Sequence, residues 1–126
     1  MNNLTIGGTL MNTLQAQNDA FRQGMFVNLN APNAAKPAGK YVVTSGVHNL
    51  PSDDKMRVLA AVRNYNDFNK DCDPYGEHDM GVIELPSIPK VFFRIDYFAD
   101  SDMAWGAENP AESCFRVLTI MLADEY

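Results

Sequence analysis

The sequence predicts an α+β domain in which two helices pack on an antiparallel sheet of about four strands. Three observations lead to this class. A chain of 126 residues fits a single domain, two segments repeat apolar residues at helical spacing, and shorter runs are rich in β-branched and aromatic residues. The alternation of these runs and their short connections favour helices layered on one sheet. We therefore expect residues 1–126 to form one domain.

Two helices are predicted in the first half of the chain. Apolar residues recur at roughly helical intervals from Thr9 to Gln23, and Gly24 follows where a helix often ends. Residues 28–40, NLNAPNAAKPAGK, have no consistent period and predict a loop. A second helix is predicted from Ser52, a favoured capping residue, to about Phe68. Its predicted buried stripe consists of Val58, Ala61, Val62 and Tyr65.

The strands are predicted from three further segments. KYVVTSGV, residues 40–47, is β-branched and aromatic and is bounded by glycines. MGVIELPSIPKVFFRIDYFA, residues 80–99, has two β-type runs around PSIP, the pattern of a hairpin with a proline-stiffened turn. The final run CFRVLTIMLADEY is compatible with a helix or a strand, and its β-branched residues favour a strand.

The net charge of -6 is unevenly distributed. Residues 1–50 carry three basic side chains and one acidic, whereas residues 51–126 carry seven basic and fifteen acidic. Such a surface repels phosphate backbones, so we expect no direct nucleic-acid binding and a basic protein partner instead. No apolar run reaches the roughly 18 residues that cross a bilayer, and the start lacks a signal-peptide pattern. We expect a cytoplasmic protein that does not bind membranes.

The segment DCDPYGEHDMG, Asp71 to Gly81, concentrates groups that carry chemistry. Carboxylates and histidine are ligands of divalent metals and the usual general acids and bases. A metal-dependent or acid/base enzyme is therefore the alternative hypothesis. It would use the loop from Asp73 to Asp79 together with Asp96, through the side chains of Asp73, Glu77, His78, Asp79 and Asp96. The last four of these are the candidate metal ligands. The spacing matches no established metal motif. Asp73-Pro74-Tyr75-Gly76 is a favoured turn, so the preferred interpretation is a rigid turn that displays acids, with no catalytic residue and no cofactor.

Asp96 differs from the other acids because it lies inside an otherwise apolar strand. Burying an unpaired carboxylate costs on the order of 3 kcal/mol or more, so we expect Asp96 to have a partner. The candidates are Arg94, Arg116 and His78. A buried pair of this kind is more often a structural bridge than a catalytic dyad.

The motifs NDAFR, DPYGEHDMG, FFRIDYF and RVLTIMLADEY together resemble a family of small proteins of bacterial plasmids and phages that has a domain of unknown function. The resemblance covers most of the chain apart from the Asn/Ala/Pro-rich loop. Family members typically have Trp and Lys before Ile-Asp-Tyr, where this chain has Phe93 and Arg94. The resemblance implies an accessory gene of a mobile element in a bacterial host cell, a setting in which small acidic proteins inhibit restriction or CRISPR systems.

These observations favour a binding protein over an enzyme. We expect an anti-defence inhibitor, of the anti-CRISPR or anti-restriction kind, that presents an acidic, partly aromatic surface to a nucleic-acid-binding complex of host defence. The predicted partner-binding residues are acids and exposed aromatics: Asp67, Asp71, Asp73, Tyr75, Glu77, Asp79 and Trp105. A subunit of the mobile element that forms a homodimer is a third alternative.

Overall fold

The first helix begins earlier than its periodicity predicts. A computed structural model describes residues 6–26, 37–71 and 73–126, and α1 spans Ile6–Gln23 before a 3₁₀ turn at Gly24–Phe26. Leu14 and Phe21 are buried, as their spacing predicts. Residues 28–36 of the predicted loop lie outside the described residues.

The first strand is shorter than predicted. β1 spans Gly39–Val43, whereas the sequence predicts a strand over residues 40–47. A short helix, α2, occupies Ser45–His48 instead. The Glu125 carboxylate accepts hydrogen bonds from the Thr44 hydroxyl and from a backbone N–H of α2, and the Thr44 contact is the main reason that the pKa of Glu125 is lowered. This distant carboxylate favours a helix start because it binds the Gly46 N–H, which has no partner within the helix.

The second predicted helix ends early. α3 spans Ser52–Arg63 rather than reaching Phe68, and its predicted apolar stripe is buried at Val58 and Val62. Beyond the helix, Tyr65 and Phe68 pack edge to face with ring centroids 4.8 Å apart. Both rings are partly buried, and their packing stabilises the chain beyond the end of the helix.

The four strands form one sheet in the order β1-β4-β3-β2. β2, Met80–Ile83, and β3, Val91–Phe98, form the predicted hairpin, and β4, Phe115–Leu122, is an antiparallel neighbour of β3. The C-terminal run is therefore a strand. β1 pairs with β4 in parallel, so the expectation of a wholly antiparallel sheet is wrong. A tight turn forces antiparallel pairing, whereas the long connection from β1 to β4 permits either direction. The α+β class itself is confirmed.

The helices cover one face of this sheet. Phe21, Val58 and Val62 share a core with alternate strand residues, namely Ile83, Val91, Phe93, Ile95, Leu118 and Ile120. Successive side chains of a strand point to opposite faces. The other face of the β2–β3 hairpin is partly exposed, and we call it the open face; its residues are Met80, Val82, Phe92, Arg94, Asp96 and Phe98. None of the helices in the described ranges has the length and apolar character needed to span a bilayer.

Candidate functional site

The loop that leads into β2 is built around the carboxylate of Asp73. Its Oδ1 accepts the Glu77 N–H at 3.0 Å, and its Oδ2 accepts the His78 N–H at 3.1 Å. The turn closes where the Gly76 N–H donates to the Asp73 carbonyl at 3.1 Å. Gly76 has a φ of 67°, which glycine adopts without the penalty that a Cβ brings. The predicted turn at Asp73–Gly76 is confirmed.

Asp73 does not display its charge to a partner. Only 5% of the residue is exposed, and both carboxylate oxygens accept backbone N–H groups. The Asp73 carboxylate is therefore not part of the exposed acidic surface. Its role is to fix the loop, because a buried carboxylate needs hydrogen-bond donors that only a folded backbone supplies here.

The loop is held against α1 by three polar side chains. Gln15 Nε2 donates to the Gly76 carbonyl at 2.8 Å, and Asn18 Nδ2 donates to the Glu77 carbonyl at 3.0 Å. Asp19, one helical turn after Gln15, has its Oδ1 2.9 Å from His78 Nδ1. The polar face of α1 therefore determines where the loop sits.

His78 occupies a constrained position. Its φ is 60°, which is uncommon for a residue with a Cβ. The imidazole stacks on the Phe68 ring, with centroids 3.8 Å apart and planes at 5°. The contact with Asp19 and this stack together compensate for the unfavourable backbone conformation.

A buried polar network lies below the loop. Arg116 Nε donates to Asn18 Oδ1 at 2.7 Å, and Arg116 Nη2 donates to Gln17 Oε1 at 2.8 Å. The Tyr97 hydroxyl accepts from Asn18 Nδ2 at 2.8 Å and donates to Glu77 Oε1 at 3.1 Å. Burial raises the pKa of Tyr97, so the hydroxyl keeps its proton. Gln17, which interrupts the apolar stripe of α1, is thus a member of the network.

Arg22 is the largest fully buried side chain in the described part of the protein. Its Nη1 donates to Asp19 at 3.0 Å and its Nη2 to the Tyr65 carbonyl at 3.0 Å, whereas its Nε has no hydrogen-bond partner. The guanidinium lies over the Phe68 ring at 5.1 Å and the Phe93 ring at 5.9 Å. These cation–π contacts offset part of the desolvation of the charge.

A cavity of about 500 Å³ opens beside this loop on the open face. Its polar lining residues are Asp79, Arg94 and Asp96, and the other lining residues are mainly apolar or aromatic: Pro74, Tyr75, Met80, Ile95, Tyr97 and Phe98. Burial raises the pKa of Asp79 to about 6, and the charges of Glu77, Asp73 and Asp96 add to this. Asp79 is thus a carboxyl whose ionised form is disfavoured by its surroundings.

The second cavity, of about 530 Å³, adjoins the first. The two share Pro74 and Met80 in their linings. Its floor includes Val82 and Phe92, and its acidic rim consists of Asp67, Asp71 and Glu84. Asp67 and Asp71 are exposed, so two of the predicted partner-binding acids do face solvent.

Asp96 has the partner that its position in the strand led us to expect. Arg94 Nε donates to Asp96 Oδ2 at 3.1 Å. The two side chains are 43% and 40% exposed, so the pair lies at the surface of the open face and not in the core. An ion pair with this exposure contributes little to stability.

The aromatic residues predicted to be exposed are confirmed as such. Tyr75 is 72% exposed and Trp105 is 78% exposed. Tyr75 lines the first cavity. Trp105 precedes Gly106, which bridges to Phe98 at the end of β3, so both aromatics lie near the same end of the hairpin.

The residues of the metal or acid/base hypothesis make separate contacts. His78 contacts Asp19, Glu77 accepts from Tyr97, and Asp96 pairs with Arg94. Asp73 accepts two backbone N–H groups of its own loop, and Asp79 lines the cavity. Within the described ranges, no three His, Cys, Asp or Glu side chains converge as metal ligands. Sequence reasoning did not identify Asn18, Asp19, Arg22 or Arg116 as site residues; NDAFR was noted only as a motif, and polar residues inside an amphipathic pattern were the available signal.

No curated protein and no solved structure matches the chain. The family described as "Protein of unknown function (DUF3768)" matches residues 43–125, which include α3, the hairpin and β4 but not α1. The match covers well over half of the 126 residues. The chain belongs to the DUF3768 family of proteins of unknown function.

Proposed function

We propose that this protein acts by binding a protein partner that presents a basic surface. The observation that carries the proposal is the concentration of carboxylates around the open face. Asp67, Asp71 and Glu84 rim one cavity, and Asp79 and Asp96 line the next. The cations near them are few: Lys70 is adjacent to Asp71 in the sequence, Arg94 pairs with Asp96, and Lys90 lies 3.7 Å from Glu84.

Charge and shape both support a binding surface. A region of one sign attracts an oppositely charged partner and accelerates encounter, more strongly at low salt. Tyr75 and Trp105 stand exposed near this region, and aromatic residues are enriched at the centres of protein interfaces. A rigid loop fixed by Asp73 adds preorganisation, which lowers the entropy lost on binding.

In this proposal the binding serves to inhibit a host defence system. The motifs of the chain resemble small proteins of plasmids and phages, where acidic proteins inhibit CRISPR or restriction complexes. An acidic surface that occupies a basic nucleic-acid groove would compete with the nucleic acid by charge. In this proposal the partner is a host defence complex, and the protein itself does not bind nucleic acid or membranes.

The experiment uses two variants with the same change in net charge. Asp67→Lys/Asp71→Lys alters the rim of the second cavity, and Asp53→Lys/Asp124→Lys alters exposed acids elsewhere. Tagged wild type and both variants are used to capture partners from lysates of bacteria with active defence systems, and the captured complex is then purified for measurements of Kd at 0.1 and 0.5 M salt.

We expect the rim variant to bind a captured nuclease or CRISPR complex at least tenfold more weakly at 0.1 M salt, because two attractions become repulsions. The difference should shrink at 0.5 M salt, and the control should bind like the wild type. Equal binding by all three proteins would contradict the proposal for this surface.

Acid/base catalysis is the second candidate function, and one observation favours it. A carboxyl with a pKa of about 6 inside a cavity has the proton affinity that a general base needs near neutral pH. His78, oriented by Asp19, could act beside it only if a substrate reached both residues. Turnover of a panel of ester and phosphoester substrates that is lost in Asp79→Asn, with binding of the basic partner intact, would favour the enzyme.

A further inference from the structure

We propose that the cavity beside Asp79 receives one arginine side chain of the basic partner. This inference rests on the proposed binding function and specifies its ligand chemistry. The cavity has a volume of about 500 Å³, which lies within the range of small-ligand sites. It therefore has room for a guanidinium with its aliphatic stem.

The charges around the cavity call for a cation. Asp79 faces Glu77 and Asp73 of its own loop and Asp96 of β3, and all three charges oppose its ionisation. The cation that lines the cavity, Arg94, already pairs with Asp96. Among the described residues no salt bridge involves Asp79. An incoming cation would remove an electrostatic penalty that the fold leaves in place.

The walls of the cavity favour arginine among the cations. Tyr75 and Phe98 supply rings, and Pro74 and Met80 supply aliphatic surface. A guanidinium is planar, stacks on aromatic rings and binds a carboxylate through two parallel hydrogen bonds. Its methylene groups can lie along apolar walls while the charged end reaches the carboxylate. An anionic ligand would meet the two carboxylates of the lining, Asp79 and Asp96, and a neutral ligand would supply no charge to offset them.

The second cavity indicates how the partner segment continues. Because the two cavities meet at Pro74 and Met80, a segment seated in the first passes directly to the rim formed by Asp67, Asp71 and Glu84. An exposed basic stretch of a protein, with an arginine as its anchor, satisfies both cavities. The acidic rim and the apolar floor of the second cavity would hold such a segment along the open face.

The test uses the full chain and three peptides that differ at one central residue: arginine, lysine or citrulline, the uncharged isostere of arginine. Binding is followed by amide shifts in two-dimensional NMR spectra of the isotope-labelled protein. The arginine peptide should shift amides at residues 79–80 and 94–98, and the lysine peptide should do so with a higher Kd. The citrulline peptide should bind at least tenfold more weakly than the arginine peptide.

Matched variants locate the site. Asp79→Asn should raise the Kd of the arginine peptide at least tenfold, and Asp53→Asn, which makes the same charge change in α3, should leave it unchanged. Tyr75→Ala alters an exposed wall residue and should raise the Kd several-fold with the fold intact. Affinity should also fall as the pH is lowered from 7 to 5, because the Asp79 carboxyl becomes protonated; burial and the charges of Glu77, Asp73 and Asp96 raise its pKa to about 6.

The result is separable from the test of the proposed function. Equal affinity for the citrulline and arginine peptides, or equal affinity of Asp79→Asn and wild type, would overturn the arginine site. Capture of a basic partner that still depends on Asp67 and Asp71 would then leave the binding function standing without this site. The arginine site would be supported if the citrulline peptide bound wild type at least tenfold more weakly than the arginine peptide does, and if Asp79→Asn bound the arginine peptide at least tenfold more weakly than wild type does.

Discussion

His78 and Asp19 join two parts of the chain that lie 59 residues apart, with the imidazole Nδ1 2.9 Å from the carboxylate. This contact connects α1, outside the matched family segment, to the loop inside it. Arg22, which donates to the same Asp19 carboxylate, extends the connection into the core. The loop and α1 should therefore lose stability together.

Replacing His78 by Ala should lower the free energy of unfolding by about 1–3 kcal/mol, because a hydrogen bond and a ring stack are lost. His48, an exposed histidine, gives the control: His48→Ala should change stability by about 0.5 kcal/mol or less. Urea unfolding measures both, and hydrogen exchange over residues 13–23 should accelerate in His78→Ala alone. Similar values for the two variants would show that the contact does not hold α1.

Replacing Asp73 by Ala should cost about 2–4 kcal/mol, since two backbone N–H groups lose a charged acceptor. Asp71→Ala removes a carboxylate of the same loop that is exposed, and it should cost about 0.5 kcal/mol or less. The denaturant midpoints of Asp73→Ala and Asp71→Ala measure the two losses of stability. A cost for Asp71→Ala as large as that for Asp73→Ala would mean that net charge, and not the turn, sets the stability.

Asn18 binds three groups at once, so Asn18→Ala should lower the free energy of unfolding by about 2–4 kcal/mol. The substitution leaves Arg116 Nε and the Glu77 carbonyl without this partner. Asn66→Ala, at an exposed site, is the matched control and should be within about 0.5 kcal/mol of wild type. Thermal unfolding followed by circular dichroism compares them, and a neutral Asn18→Ala would refute a role for the network in stability.

Asp79 should make stability depend on pH. Its pKa in the folded protein is about 6, above the ordinary value of 3.8, so its contribution to stability is fully present below about pH 4 and is lost as pH rises through 6. Asp79→Asn removes this pH-dependent contribution to stability. Relative to wild type, the variant should therefore gain about 1 kcal/mol between pH 4.5 and 7.5, after allowance for solvent screening. Urea unfolding across this range measures the gain, and a constant difference between the two proteins would contradict the assignment.

Gly81 lies against aromatic rings, and Gly81→Ala should cost about 1–3 kcal/mol through overpacking. A Cβ there would lie 2.6 Å from Tyr65 Cε2 and 2.7 Å from Phe93 Cζ. At Gly106 the nearest atom to a Cβ is 3.9 Å away, so Gly106→Ala serves as the control. Calorimetry measures the stability of both variants. Equal stability of Gly81→Ala and Gly106→Ala would show that Phe93 can move aside.

Local patterns predicted α1, α3, the hairpin and the last strand because apolar periodicity and turn residues act over a few neighbouring positions. The parallel pairing of β1 with β4 and the contact of Glu125 with α2 depend on residues far apart in sequence, so no local pattern contains them. The same holds for the site. The turn at Asp73–Gly76 was predictable, whereas the burial of Asp73 follows from the way the loop folds onto α1.

The parallel pairing of β1 with β4 also sets an order of events during synthesis. About 70 residues separate the end of β1 from the start of β4, which a ribosome making 5–20 residues per second adds in about 4–14 s. Throughout that interval β1 has no strand to pair with, and its backbone groups stay exposed to other chains. β1 therefore cannot enter the sheet until β4 has been synthesised.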